Sequence, residues 1–374
     1  MTRIAATATM LLGVCLTIEK VRSAPLNPND FVSLGGMPSG GFVIDTDALT
    51  FAGSPGGVLH AQGGGAPDVA VFVFDGGGSL ASGEAVTVTG GNALALLFRG
   101  SATLAGTIDV SGADGVDAVQ NVVTGIGGAG VAGGGRGGNG GPFSANQDGV
   151  GPGHGVVGSN SASVSGVGSG SGGGFGTMGG RGGVAVTFRP GGPAYGEPLR
   201  DLLHAGSGGG GGGGQGVSRL GGGGGAGGGA LEIGATMSLT FAGASILANG
   251  GDGAEGFADG GAGSGGGILL HARDIHFDAS TLIQANGGDG GGGVNLGGCG
   301  GGGRVEIVYQ QGGGFSNLAT IEANAGAFGG DCTDGEPVVT EVAVPEPAGL
   351  PLLALASIAA SRRGPRRVHA VATL

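Results

Sequence analysis

The chain has 374 residues, 101 of them glycine; only 11% are charged and 4% aromatic, and none is tryptophan. That is far from ordinary globular usage, yet the glycine is too unevenly spread and proline too scarce for a collagen triple helix. Residues 24 to 361 hold 8 Arg against 26 Asp plus Glu, a net charge of about −18, and the one lysine is Lys20. A surface this acidic argues against nucleic acid as a partner, because phosphate binding needs clustered Lys and Arg.

At the N-terminus, Arg3 precedes an apolar stretch from Ile4 to Ile18, the pattern of a secretory signal peptide. Cleavage after Ser23 puts Val21 and Ser23 at the two positions that take small or modest side chains, giving a signal peptide of residues 1–23. Cys15 falls inside it, and Val14 stands where a lipoprotein signal needs a small residue. The body then runs over residues 24–343.

Phe31 to Gly112 is rich in β-type runs, namely Val69 to Phe74, Ala85 to Thr89 and Ala93 to Phe98. These read as the opening coils and cap of a repetitive fold. Leu49-Thr50-Phe51-Ala52-Gly53 recurs as Leu239 to Gly243. Residues 113–229 form one very large Gly-rich insertion. Inside it, Gly134 to Pro142 has a triplet pattern compatible with a helix of three residues per turn, but the Gly/Ser content predicts flexible coil. Tyr195 to His204 is less glycine-rich; a short helix or recognition knob is expected there, and Leu199, Leu202 and Leu203 need cover.

Beyond the insertion a repeat emerges. Leu231-Glu232-Ile233, Ile268-Leu269-Leu270 and Val305-Glu306-Ile307 start 37 residues apart. Ile246-Leu247-Ala248-Asn249, Ile283-Gln284-Ala285-Asn286 and Ile321-Glu322-Ala323-Asn324 start 37 and 38 apart, and Ile108-Asp109-Val110-Ser111 has the same form. Period-2 alternation marks strands, with a third short strand between the two motifs, such as Ser238 to Phe241 or Asp274 to Phe277. Three short strands and a Gly-rich excursion per repeat predict an all-β fold: a right-handed parallel β-helix, or solenoid, with long Gly-rich loops on one edge. An up-and-down antiparallel barrel is the competitor, disfavoured because equivalent residues recur in one order without mirrored hairpins. The alternation points Asp109, Glu232, Gln284, Glu306 and Glu322 outward.

Asn249, Asn286 and Asn324 are expected to stack as an internal ladder bonding the turn backbone. Cys299 lies six residues before Val305, and Cys332 six before Val338, where Val338 to Val342 reads as the first strand of the next coil. The two cysteines would then occupy equivalent points on adjacent coils, and a Cys299–Cys332 disulfide is expected in an exported chain.

Candidates for chemistry are few. No lysine remains for a nucleotide-binding P-loop, and no serine sits in a nucleophile elbow. His271, Arg273, Asp274 and His276 are the densest polar cluster and read as a solvated strand edge. Asp114, Asp252 and Asp289 fall three residues after Ser111, Asn249 and Asn286, so adjacent coils would line three carboxylates in a column. Such a column either suits Gly-Asp-Gly turns or is bridged by Ca²⁺, which takes oxygen ligands.

The tail closes the sequence. Val344-Pro345-Glu346-Pro347 precedes an apolar run from Ala348 to Ala360 and the basic pairs Arg362-Arg363 and Arg366-Arg367. This segment, 344–367, resembles the PEP-CTERM sorting signal. The resemblance implies processing by an exosortase-type enzyme and a transient anchor at the inner membrane. Release to the cell surface or the extracellular space would follow. The apolar run is short for a stable span of about 20 residues, and the arginines suit the cytoplasmic side. The expected function is structural or adhesive, at the surface or in an exopolysaccharide matrix; the alternative is a β-helix lyase or hydrolase acting on polysaccharide.

Overall fold

A computed structural model describes residues 25–142, 146–161, 166–183, 188–196, 198–335 and 337–342. These residues form a nearly all-β molecule without α-helix. The chain opens with four short strands, β1 (Phe42–Asp45), β2 (Thr50–Phe51), β3 (Ser54–Pro55) and β4 (Val58–His60). Five sets of three follow. They are β5 (Val69–Asp75), β6 (Gly78–Leu80) and β7 (Ala85–Thr89); β8 (Ala93–Arg99), β9 (Ala102–Leu104) and β10 (Thr107–Asp109); β11 (Ala230–Ala235), β12 (Ser238–Phe241) and β13 (Ser245–Leu247). The last two sets are β14 (Gly267–Ala272), β15 (Asp274–Phe277) and β16 (Leu282–Gln284), then β17 (Arg304–Gln310), β18 (Phe315–Asn317) and β19 (Thr320–Glu322), with β20 (Val338–Val342) closing the order.

Each set gives one strand to each of three sheets, and like pairs with like in parallel. The first sheet runs β20-β17-β14-β11-β8-β5-β4, the second β18-β15-β12-β9-β6, the third β19-β16-β13-β10-β7-β1-β2-β3. The ladder is not closed, so the barrel is excluded and the fold is solenoid-like. The expected equivalences hold in register: Leu231 opposite Ile268 and Ile268 opposite Val305 in the first sheet, and Ile108, Ile246, Ile283 and Ile321 in succession in the third.

The sequence explains the core. Inward residues stack on their own kind from coil to coil, as with Ile108, Ile246 and Ile283, all fully buried. Phe241 and Phe277 stack with ring centroids 4.8 Å apart. At the N-terminal end, β2 and β3 pair antiparallel with their neighbours and cap the stack. Here the repeated pentapeptide takes two conformations: Thr50–Phe51 lies in the antiparallel cap, with Leu49 and Ala52 at positive φ, whereas Ser238–Phe241 lies parallel between β9 and β15. At the other end, Glu306 faces Val338, so Pro337 stands against Val305. This is one residue off the alignment of Val338 with Val305 expected from sequence. Proline, lacking a donor, is tolerated at the start of an edge strand.

The insertion and the shorter Gly-rich excursions are not coil. They lie side by side as extended segments with no hydrogen bonds inside a segment and a strict three-residue period between segments. From the stretch 206–213, Gly208 and Gly211 donate to Val150 and Gln147, Gly209 and Gly212 to Gly225 and Gly222, and Gly210 and Gly213 to Ser171 and Gly168. The same stretch accepts from Gly135, Gly138 and Gly141, from Gly155 and Gly158, and from Gly261 and Ser264. Every third residue thus faces the same neighbour, which defines a helix of three residues per turn surrounded by six others. Glycine is required because the backbones touch: a methyl on Gly209 would lie 2.2 Å from the Gly261 carbonyl oxygen. The flexible coil expected for Gly134 to Pro142 is therefore corrected. Composition alone reads glycine as entropy, whereas here Gly135, Gly137, Gly138, Gly140 and Gly141 each donate to a carbonyl on an adjacent segment.

Candidate functional site

Where the third sheet ends, each coil passes from a strand into a three-residue-per-turn helix, and side chains three apart share one face. Ser111, Asp114 and Asp117 lie on one such segment, Asn249, Asp252 and Glu255 on the next, and Asn286 and Asp289 on the third. The rungs join by side chain to backbone. Asn249 N–H donates to Ser111 Oγ at 3.1 Å, Asn286 N–H to Asn249 Oδ1 at 2.9 Å and Asn324 N–H to Asn286 Oδ1 at 2.8 Å. In the next column Asp252 N–H donates to Asp114 Oδ1 at 2.8 Å, Asp289 N–H to Asp252 Oδ1 at 2.7 Å and Ala327 N–H to Asp289 Oδ1 at 2.6 Å. A third column begins with Glu255 N–H donating to Asp117 Oδ1 at 2.8 Å. Toward the strands, Gln284 Nε2 donates to Glu322 Oε2 at 2.7 Å.

The result is a polar array with steps of about 4.8 Å between coils and about 9 Å along each helix. Its carboxylates Asp114, Asp117, Asp252, Glu255 and Asp289 are exposed, and its amides sit half-buried or exposed, so the asparagine ladder runs at the surface and not inside. Burial, together with the charges of Asp114 and Asp289, raises the Asp252 pKa above its ordinary value. Among the described residues no group of three or more His, Cys, Asp or Glu is placed to hold a metal ion. The Asp column spends its Oδ1 atoms on backbone donors.

The outer face of the first sheet differs from expectation. Glu232 and Glu306, assigned outward, do point away from the solenoid core, but neither is solvated: they are 0% and 4% exposed. A second apolar layer covers them, in which Leu26, Phe175, Leu199, Leu203 and Ala205 pack on Val71, Val73, Ala95, Leu97 and Leu269. Each glutamate has a built partner set. Glu232 Oε1 accepts the Leu26 N–H at 2.6 Å and contacts His271 Nε2 at 2.8 Å. Glycine makes room for this pair, since a methyl on Gly234 would lie 2.1 Å from His271 Nε2. Glu306 Oε1 accepts from Arg200 Nη1 at 2.7 Å, and the same nitrogen donates to Thr340 Oγ1 at 3.0 Å. In the polar cluster at His271, exposed Arg273 pairs with its neighbour Asp274 at 3.7 Å and exposed His276 has Nδ1 3.0 Å from Ser316 Oγ, as on a solvated strand edge, whereas His271 turns to the buried Glu232.

Cys299 and Cys332 are joined by a disulfide with Cα atoms 6.1 Å apart, tying the fifth coil to the chain that leads into β20. Asp259, which the sequence reading did not single out, is fully buried beneath a Gly-rich turn. Burial pushes its pKa up to about 6, against the opposing hydrogen bonds from Gly256 and Gly293. The sorting-signal residues Val344, Pro345, Glu346, Pro347, Arg362 and Arg363 lie outside the described residues. Among the described residues no helix is long and apolar enough to cross a membrane.

Compared with family models, curated proteins and solved structures, the chain matches none. The residues that sequence reasoning missed, Arg200, Glu232 and Glu306 as partners in a covered layer, carried one readable signal: three leucines between Tyr195 and His204 with no coil of their own to bury them.

Proposed function

We propose that this chain is an exported structural or adhesive protein of the cell surface or exopolysaccharide matrix and not an enzyme, built as a right-handed parallel β-helix that stiffens a face for polysaccharide. The hand is the one parallel crossovers adopt. Export, exosortase processing and transient anchoring rest on the sequence of residues 1–23 and 344–367.

The observation that supports the adhesive reading is the array itself. Ser111, Asn249, Asn286, Asp114, Asp252, Asp289, Asp117 and Glu255 repeat at fixed spacing, held by backbone bonds from coil to coil. A repeating ligand meets a repeating surface with many weak contacts at once, and multivalency turns these into avidity. The ordered glycine bundle beside it keeps the array from paying a large ordering entropy on binding.

Two measurements test the reading. Intact mass of the protein from culture medium is expected to give a chain starting near Ala24 and lacking the apolar tail and arginines; a full-length C-terminus outside the cell contradicts the sorting reading. Extracted matrix polysaccharide should be retained by the immobilised protein without shortening, and retention should fall with Asp252→Ala and Asp289→Ala together. Depolymerisation by the wild-type protein would contradict the non-enzymatic reading and favour a lyase or hydrolase.

A further inference from the structure

At the C-terminal end of the covered outer face lies a cavity of about 430 Å³, away from the polar array. Its accessible apolar wall is Pro198 and Val338, with Leu199 and Val305 buried beneath it; its polar wall includes Arg200 and Arg304, and Glu306 below them is taken up by Arg200. The volume falls in the range of small-ligand sites, which pair mostly apolar walls with a few fixed polar groups. Both walls are held. Arg200 is pinned by Glu306 and Thr340. Arg304 lies over the Phe175 ring at 5.3 Å and donates to the Gly196 carbonyl at 3.1 Å. Thr177 and Asp334 complete the polar side.

We propose that this cavity binds one uncharged sugar unit. The proposal rests on the polysaccharide-binding reading above and deepens it. A sugar ring offers an apolar C–H face and a rim of hydroxyls that both donate and accept. The cavity supplies the complement: Pro198 and Val338 on one side, guanidinium donors and the exposed Asp334 carboxylate on the other. Charge decides against an anionic ligand. Two arginines face two acidic residues, so the lining has no net positive charge, and the body around it carries a net charge of about −18. A uronate would meet that field unaided, whereas a neutral hexose meets no such penalty.

The test uses the purified full-length disulfide-bonded protein and saturation-transfer NMR. Methyl glycosides of glucose, galactose and mannose are compared with glucuronate at equal concentration. At least one neutral glycoside should give a saturable signal stronger than that of glucuronate. Val338→Trp, at a half-exposed edge position, should fill the cavity and weaken that signal about tenfold, and Thr177→Val should weaken it more modestly. No saturable neutral signal, a preference for glucuronate, or neutral binding unchanged in both variants overturns the proposal. Retention of matrix polysaccharide by Val338→Trp while its glycoside signal is unchanged sinks the cavity and spares the adhesive reading; loss of retention in the Asp252/Asp289 variant alone concerns the array.

Discussion

Asp252 Oδ1 accepts the backbone N–H of Asp289 at 2.7 Å, joining residues 37 positions apart in the chain and adjacent in space. Asp114 does the same for Asp252. A carboxylate in this role acts as a helix cap does, satisfying a donor that no ladder partner reaches.

Removing that acceptor should cost stability even though the side chain is exposed. Asp252→Ala is expected to lower unfolding stability by about 1 kcal/mol, and Asp252→Asn, which keeps an acceptor oxygen, by less than half of that. Urea denaturation followed by circular dichroism measures both. Because the column serves backbone donors, adding a chelator to the native protein should leave the midpoint unchanged; a clear drop on chelation would point to a bridging Ca²⁺.

Asp259 sets a pH dependence whose sign follows from its raised pKa. A carboxyl with a folded pKa of about 6 and an unfolded value of 3.8 prefers the protonated state when folded. Its contribution is fully present below about pH 4 and is lost as pH rises through about 6. Asp259→Asn should therefore gain stability over wild type by about 1–2 kcal/mol at pH 7, and the gain should vanish near pH 4. A constant difference at both pH values would assign the effect to packing.

The disulfide between Cys299 and Cys332 closes the chain across a sequence separation of 33 residues at the exposed end of the stack. Cys332→Ser is expected to cost about 4 kcal/mol, by the chain-entropy account. Thermal unfolding under non-reducing conditions reads the effect, and reductant should bring wild type down to the variant.

Much of the solenoid was legible because its signal is local and repeated: Leu231, Ile268 and Val305 recur at a fixed interval, and a repeat of period-2 runs leaves few folds open. The columns of Asn249 with Asn286 and of Asp252 with Asp289 followed from the same interval. Two things were not legible. The outward assignment of Glu232 and Glu306 was right about direction and wrong about solvent, because no periodicity reveals that Leu26, Leu199 and Leu203 return from distant segments to cover them. The glycine tracts were misread because their order comes from neighbours. Gly209 is held by Gly225 on one side and by Gly138 on another, and no propensity of a single segment records that.

Close contact makes the bundle's glycines unequal to those elsewhere. A methyl on Gly209 would meet the Gly261 carbonyl oxygen at 2.2 Å, whereas one on Gly36 meets nothing within 4 Å. Gly209→Ala is expected to destabilise by about 3 kcal/mol or more, as overpacking does, and Gly36→Ala to fall within about 0.5 kcal/mol of wild type.

Amide hydrogen exchange at Gly206 to Gly213, resolved by NMR on the native protein, tests the central claim most directly. If these glycines form the centre of a hydrogen-bonded bundle, their amides should be protected as strongly as those of Ile268 and Leu270 in β14, within about tenfold. Exchange at the rate of an unstructured chain would contradict it and return the glycine tracts to flexible loops on a bare solenoid.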